Sequence, residues 1–362
     1  MNKLPKILFI ARDDGGCGFF RMRQPAEFIK RMGLAKTEVF QTFVPREKLL
    51  EADLVIMQEM GSVNASNIAQ FCLENKIPYM AEFDDFIQHV SPHNLAGYGA
   101  WNPSTLYTYR AMEMAKSATG LIVSTPQIAR EYFPYNQNIY IVPNYLDKDK
   151  WDNPILKRND GKIRIGWCGG NAHADDLKMI SKVLEKITKE HKGKVIFETM
   201  GMTKHELADV FSMGVLDQVC PACGYEGELH HYPGESLNDY SIVLASKGWD
   251  IALAPVINNS FGNCKSDLKI KEYAAVGIPI IASPIVPYLE AVDNGVIVAF
   301  AKTFEQWYNE INKLINSREL REEIVKKNKD WVSNYWIQDN AEKIFEVYSQ
   351  TISVALLTLG KK

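Results

Sequence analysis

The stretch NCKSDLKIKEYAAVGIPIIAS runs from Asn263 to Ser283 and joins a short helical pattern to an apolar strand. Ser266 is a residue type that caps helices, so a helix is expected to begin at Asp267. Lys265, Lys269 and Glu272 then fall at i, i+4 and i+7, roughly on one helical face. A helix N-terminus offers unpaired backbone N–H groups and the positive end of the helix dipole. Two ammonium groups added there make a site for an anion, most naturally a phosphate or diphosphate. One turn deeper, the Glu272 carboxylate can accept hydrogen bonds from sugar hydroxyls. Lysines on phosphate and Glu272 on ribose would suit a nucleotide. The same spacing also suits an exposed helix with an ordinary Lys–Glu pair.

The apolar strand IPIIASP (Ile278–Pro284) is one of a series. KILFIA (Lys6–Ala11), TEVFQT (Thr37–Thr42), DLVIMQ (Asp53–Gln58), PYMAEF (Pro78–Phe83), GLIVST (Gly120–Thr125) and IYIVPN (Ile139–Asn144) precede it in the first 150 residues. KIRIGWCG (Lys162–Gly169), KVIFETMG (Lys194–Gly201), DIALAPV (Asp250–Val256) and GVIVAFA (Gly295–Ala301) belong to the second half. Most are continuous apolar runs, the mark of strands covered on both faces. Helical patterns lie between them, at Asn64–Asn75, Ser104–Lys116 and Asp175–His191. The expected class is α/β, with two doubly wound, Rossmann-like domains facing each other across a cleft. The polar segment Leu146–Lys162, with Pro154 and Gly161, reads as the interdomain linker. We therefore expect a first domain over 1–150 and a second over 151–337, with a C-terminal helix, 338–362, returning to the first. Trp307, Trp331, Tyr335 and Trp336 read as packing anchors.

A chain of 362 residues is too long for one ordinary core, which agrees with two domains. Its net charge of −3 gives no sign of a general polyanion binder. The N-terminus reads as a first strand and not as a signal peptide, and no apolar run reaches the roughly 18 residues of a membrane span. Six scattered cysteines suggest no disulfide framework, so a reducing cytoplasm is the expected compartment.

Ligands of such sheets bind in loops at the carboxyl ends of strands. GWCGGNAHADDL (Gly166–Leu177) is a glycine-rich turn between a strand and a helix, where Gly169 and Gly170 allow close backbone approach to a ligand. DDGGCGFFRMRQP follows the first strand in the same way. There Gly15, Gly16 and Gly18 shape a loop, and Arg21 and Arg23 follow as acceptor ligands or as ordinary surface charge.

Five strings resemble the GT-B glycosyltransferases, in the group similar to family 4. KSDLKIKEYAAVGIPIIAS resembles their donor-binding helix, and VPNYLD (Val142–Asp147) their domain hand-over. GCGFFRMRQP (Gly16–Pro25), EFDDFIQHVSPHN (Glu82–Asn94) and IGWCGGNAHADDL (Ile165–Leu177) resemble the loops of a bacterial and phage branch. Together they span about residues 6 to 290 in the family's order. The resemblance implies a transferase that holds a nucleotide-sugar, UDP- or GDP-linked, in the cleft and mainly on the second domain. It also implies a retaining reaction that needs no metal. The family's signature is a pair of glutamates eight positions apart. Glu272 matches the second, and the first falls on Cys264. The family's Arg and Lys after the second glycine loop are replaced by Asn171 and His173.

On this reading Lys265, Lys269 and the Gly169–Gly170 amides stabilise the leaving diphosphate. Gly16, Gly18, Asn171, Asn263 and Ser266 complete the donor contacts. His173 either bonds to the diphosphate or sugar, or caps its helix. Asp84 and Asp85, just past a strand end, either orient an acceptor hydroxyl or act as base, or else form an N-cap and a surface charge. His89 and His93 are close enough in sequence to join them. Cys220-x-x-Cys223, followed by His230 and His231, would suit a structural zinc or a loop of free thiols. A surface glycan is the expected acceptor. Hydroxymethylated phage DNA bases are an alternative that the net charge disfavours. A non-catalytic nucleotide-sugar binder is the other, kept open by Cys264. A dehydrogenase lacks its dinucleotide fingerprint.

Overall fold

The computed structural model describes residues 4–41, 43–58, 61–90, 92, 95–203, 206, 207, 210, 211 and 229–359. Two six-stranded sheets form, each parallel throughout. The first contains β1 (Lys6–Ile10), β2 (Lys36–Phe40), β3 (Leu54–Gln58), β4 (Tyr79–Phe83), β5 (Gly120–Val123) and β6 (Ile139–Ile141), in the order β2-β1-β3-β4-β5-β6. The second contains β7 (Ile163–Cys168), β8 (Val195–Met200), β9 (Leu229–Tyr232), β10 (Ile251–Ala254), β11 (Ile280–Ala282) and β12 (Val298–Phe300), in the order β12-β11-β10-β7-β8-β9.

The apolar runs are continuous because both faces of each sheet are covered. On β1 and β3, Ile7, Phe9, Leu54 and Ile56 pack to one side with Met22, Ile344 and Tyr348. Their neighbours Leu8, Ile10, Val55 and Met57 pack to the other with Ala65, Ala111 and Met112. The second sheet repeats this: Ile165, Trp167, Ile251 and Leu253 meet Val183, Leu184, Ile187 and Trp307, while Ala252 and Ala254 meet Ile270, Tyr273 and Ala274. Alternation across a strand therefore carries apolar residues to both faces.

The helices that frame the site are α1 (Gln24–Arg31), α2 (Pro126–Tyr132), α3 (Ser181–Glu190), α4 (Leu268–Val276), α5 (Val286–Asp293) and α6 (Ile337–Leu359). The long helix expected over Asp175–His191 is two pieces, Ala174–Lys178 and α3. The first piece is pinned through Asp176, whose Oδ1 accepts from Ile257 N at 2.8 Å. β9 was missed among the Cys/His loop residues. As neighbours on a strand, His230 and His231 point to opposite faces and cannot share one metal ion. His230 is buried beside Glu198, at 3.5 Å. Cys220 and Cys223 lie outside the described residues, as does His93.

The chain passes between the sheets twice, side by side. Leu146 N donates to Tyr335 O at 2.9 Å and Ile337 N donates to Leu146 O at 2.8 Å. Gln338 braces the pair, donating to Asp147 Oδ1 at 2.7 Å. Helix α6 then packs on α1 and β3 of the first sheet, with Tyr348 edge-on to Phe9 at 5.8 Å. Among the described residues no helix is long and apolar enough to cross a membrane.

Candidate functional site

Each sheet order reverses beside its first strand, between β1 and β3 in one and between β7 and β10 in the other. Open α/β sheets bind ligands outside the carboxyl ends of the strands at such a point. In the second sheet the relevant loops are Gly169–His173 after β7 and Pro255–Asp267 after β10.

The β7 loop is built to let backbone come close. A Cβ at Gly169 would stand 2.7 Å from the Trp167 ring and 3.3 Å from Lys269 Nζ, so only glycine fits between them. Gly170 faces open space. Asn171 begins the 3-10 turn Asn171–His173. His173 Nδ1 is 2.9 Å from Asp176 Oδ2. With the proton of Nδ1 on that bond, Nε2 is the nitrogen left for a ligand. Burial pulls the His173 pKa below the usual range; Asp176 opposes this, and Lys269 and Lys265 add to it. The ring is neutral at pH 7. Asp176, which ties the β7 loop to the β10 loop, was not singled out from sequence; its His-x-x-Asp spacing was the available signal.

Helix α4 presents Lys269 and Glu272 to the same loop. Lys269 Nζ donates to Cys168 O and stands over the Trp167 ring at 5.3 Å. Glu272 is buried and accepts a hydrogen bond from Tyr240 Oη at 3.1 Å. Tyr240 and Tyr273 bracket Cys168 Sγ at 2.9 and 3.3 Å. No motif marked either tyrosine. The expected cap is corrected: the N-cap is Asp267, not Ser266, and it makes no capping bond. Asp267 instead accepts from Lys271 Nζ at 2.7 Å. No side chain caps the start of α4, a helix end of the kind that can accept an anion. Lys265 lies before the helix, in the turn after the 3-10 segment Gly262–Cys264. Its Nζ pairs with Asp85 Oδ2 at 3.3 Å and lies 4.1 Å from the Phe261 ring centre. Asn263 is committed within the protein: it donates to Asn258 Oδ1 at 2.9 Å and accepts from Val286 N at 3.0 Å.

Burial pushes the Glu272 carboxyl up to about 7, against the pull of Lys269. If the ionised form accepts from a ligand's hydroxyls, nucleotide affinity should rise as pH passes upward through 7. Glu272→Gln should remove that dependence and weaken nucleotide binding. The same variant should be more stable than wild type at pH 8, because a raised carboxyl pKa means stability is lost as pH climbs. Titration calorimetry with UDP and urea unfolding, each at pH 6 and pH 8, test both statements. A pH slope surviving in Glu272→Gln would assign it to another group.

In the first domain, Asp84 and Asp85 follow β4. Asp84 Oδ1 accepts from Asn144 Nδ2 at 3.2 Å, and its Oδ2 is 4.0 Å from Cys17 Sγ. Burial, with Asp84 and Asp85 nearby, pushes the Cys17 thiol up to about 12. The glycine loop closes on Asp13, whose Oδ1 accepts from Gly15 N at 2.8 Å and Gly18 N at 3.3 Å. A Cβ at Gly18 would stand 2.0 Å from Asp13 O, so the loop requires glycine there, whereas Gly16 faces open space. Two acceptor-ligand expectations give way to internal roles. Arg21 is buried, with Nε 2.6 Å from Glu82 Oε1 and Nη1 bonded to Val142 O and Asn144 Oδ1 at 2.7 and 3.0 Å. Arg23 donates to Asp13 O at 2.9 Å and pairs with Asp14. The β4 carboxylate and the chain after β6 take up Arg21, and the loop's own Asp13 and Asp14 take up Arg23. His89 lies at the end of the 3-10 turn Ile87–His89, edge-on to Phe86 at 4.5 Å.

Asp85 of the first domain thus pairs with Lys265 of the second, and Lys265 and Lys269 both act electrostatically on His173. A cavity of about 690 Å³ lies elsewhere, at the amino ends of β7 and β10 and under the linker, lined by Arg158, Lys162, Arg318 and Arg321. The switch-point loops are the better candidate, because they combine close backbone approach, an uncapped helix start and buried titratable groups.

The sequence matches no family model, and no curated protein matches it. Solved structures match along nearly the whole chain. Sucrose-phosphate synthase from Thermosynechococcus elongatus has a TM-score of 0.69 at 11% identity, covering 97% of this chain and 100% of that one. HepE of Anabaena in complex with UDP-glucose has 0.66 at 12%, covering 95% and 99%. A putative UDP-N-acetylglucosamine 2-epimerase from Listeria monocytogenes has 0.58 at 9%, covering 96% and 96%. The chain has the GT-B glycosyltransferase fold, two Rossmann-like domains with parallel six-stranded sheets.

Proposed function

We propose that the chain is a glycosyltransferase that moves a sugar from a nucleotide-diphosphate sugar to an acceptor hydroxyl. The observation that carries this is the convergence of Lys269, Gly169, the uncapped start of α4 and Glu272 at the switch point of the second sheet. Lys269, Lys265 and the α4 amides take the charge that builds on the leaving diphosphate, the work a metal ion does elsewhere. Glu272 accepts from the ribose. Neutral His173 offers Nε2 to the diphosphate or sugar. Asp85 holds Lys265 before the donor arrives. A diphosphate draws Lys265 away and leaves Asp85, beside Asp84, free to orient the acceptor hydroxyl. The reaction is retaining and needs no divalent ion. The donor is a UDP- or GDP-sugar; HepE, in complex with UDP-glucose, supports the former. A surface glycan is the acceptor, with phage DNA bases the less favoured alternative.

Cys264 favours a second reading. It is buried among first-domain core residues, where the resembled enzymes carry a glutamate that a thiol does not replace chemically. A non-catalytic nucleotide-sugar binder would tolerate this.

Incubation with UDP-glucose in EDTA separates the readings. A transferase without acceptor should slowly release UDP and glucose, and added Mg²⁺ or Mn²⁺ should not raise the rate. A binder should release neither, although UDP-glucose at 100 times its Kd would still stabilise it by about 2.7 kcal/mol. An epimerase would change the sugar.

A further inference from the structure

Three groups that the proposed transfer does not use lie together at the domain boundary. His89, Glu131 and Cys264 each bring one ligand atom, and these atoms lie within 4.8 Å of one another. They come from three elements: the turn after β4, helix α2, and the 3-10 turn after β10. The first two belong to the first domain and the third to the second.

The chemistry of the set is that of a metal site. Imidazole, carboxylate and thiol are the three donor types that bind Zn²⁺. Nδ1 of His89 is buried and has no hydrogen-bond partner, a costly state for a polar atom unless something occupies it. Cys264 is a free thiol, 1% exposed. Gln127 Nε2 donates to Glu131 Oε1 at 2.9 Å, the kind of outer contact that orients a metal-binding carboxylate. Phe86 braces the His89 ring edge-on. In a tetrahedral zinc site, neighbouring ligand atoms stand about 3.3–3.6 Å apart. The cluster reaches that by closing about an ångström, within the range of side-chain adjustment.

We propose that His89, Glu131 and Cys264 form a zinc site that bridges the two domains and fixes the closed cleft. Binding exchanges the Cys264 S–H proton for the metal: the thiolate, neutral imidazole and carboxylate coordinate, one proton goes to solvent, and water completes the coordination. Opening the cleft carries Cys264 away from the other two and breaks the set. Cys264 precedes Lys265 in the chain, so metal binding there is expected to alter how firmly Lys265 and Asp85 face each other. The inference is independent of the proposed transferase activity, because it is read from metal binding alone.

Co²⁺ is the probe, since a cobalt–thiolate bond absorbs in the near ultraviolet. Metal-free protein carrying Cys220→Ser and Cys223→Ser, so that this pair cannot report, is titrated with Co²⁺. The expected result is one equivalent bound with a thiolate charge-transfer band that Zn²⁺ displaces. Cys264→Ser should abolish the band, and His89→Ala and Glu131→Gln should each weaken Co²⁺ by about tenfold or more. Circular dichroism checks folding; if Cys264→Ser does not fold, the other two variants decide. No band in the background protein, a band that survives Cys264→Ser, or affinity unchanged in both His89→Ala and Glu131→Gln would overturn the site.

Discussion

Replacing Lys269 by alanine is expected to lower kcat by roughly 30- to 1,000-fold, about 2–4 kcal/mol of transition-state stabilisation. Lys269 Nζ lies against Cys168 O, with Gly169 packed against it, and so faces the β7 loop directly. The interaction strengthens as charge develops on the leaving diphosphate, so kcat should fall more than the donor KM rises. Lys265→Ala should act in the same direction, because Lys265 must leave Asp85 to serve the donor. Glu272→Gln should raise the donor KM with little change in kcat, since a ribose contact holds ground and transition states alike. Steady-state kinetics of the three variants, with circular dichroism for folding, separates the roles. Near-normal values in both lysine variants would mean that neither lysine takes part in transfer.

The largest expected effect on stability lies at Arg21 and Glu82. Both are buried, and they pair at 2.6 Å. Removing one member of a buried pair costs about 3–5 kcal/mol, because the other charge stays behind unpaired. The two removals should differ. Glu82→Ala leaves a guanidinium that cannot lose its proton, with Val142 O and Asn144 Oδ1 as its remaining partners. Arg21→Met leaves a carboxyl that burial already pushes up to about 7, against the attraction of Arg21. Without Arg21 that carboxyl goes up further and is neutral over more of the pH range. Its folded pKa then stands above its unfolded one, so stability is fully present below the unfolded pKa and is lost as pH rises. Arg21→Met should therefore cost less than Glu82→Ala at pH 6 and should worsen towards pH 8. Urea unfolding at the two pH values tests this. An Arg21→Met penalty equal at both would mean that Glu82 stays charged.

The strands were legible in the sequence because covering both faces leaves the same mark on each: KILFI, LVIMQ and IALA are largely continuous apolar runs. β9 was not, since LHHY mixes polar and apolar residues at the edge of its sheet, where less burial is demanded. That Lys269 and Glu272 share one helix was legible in their spacing. Lys265 was legible as a cation, but not as a residue of the preceding turn, because i+4 spacing does not reveal where a helix starts when its cap makes no bond. Arg21 and Arg23 looked alike in FFRMR. Only the tertiary fold sends one inward to Glu82 and the other to Asp13 and Asp14. Tyr240 acts through Cys168 and Glu272, distant in sequence, and local pattern carries no trace of such contacts; the His-x-x-Asp spacing shows the Asp176 contact with His173 but not its bond to Ile257 N.

The most direct test of the account is a crystal structure of the protein with UDP bound. The diphosphate is expected at the start of α4, against Lys269 and the Gly169–Gly170 backbone, with the ribose hydroxyls on Glu272 and Lys265 drawn off Asp85. UDP bound in the Arg158–Arg321 cavity under the linker, or in the cleft with its diphosphate away from Lys269, would contradict it.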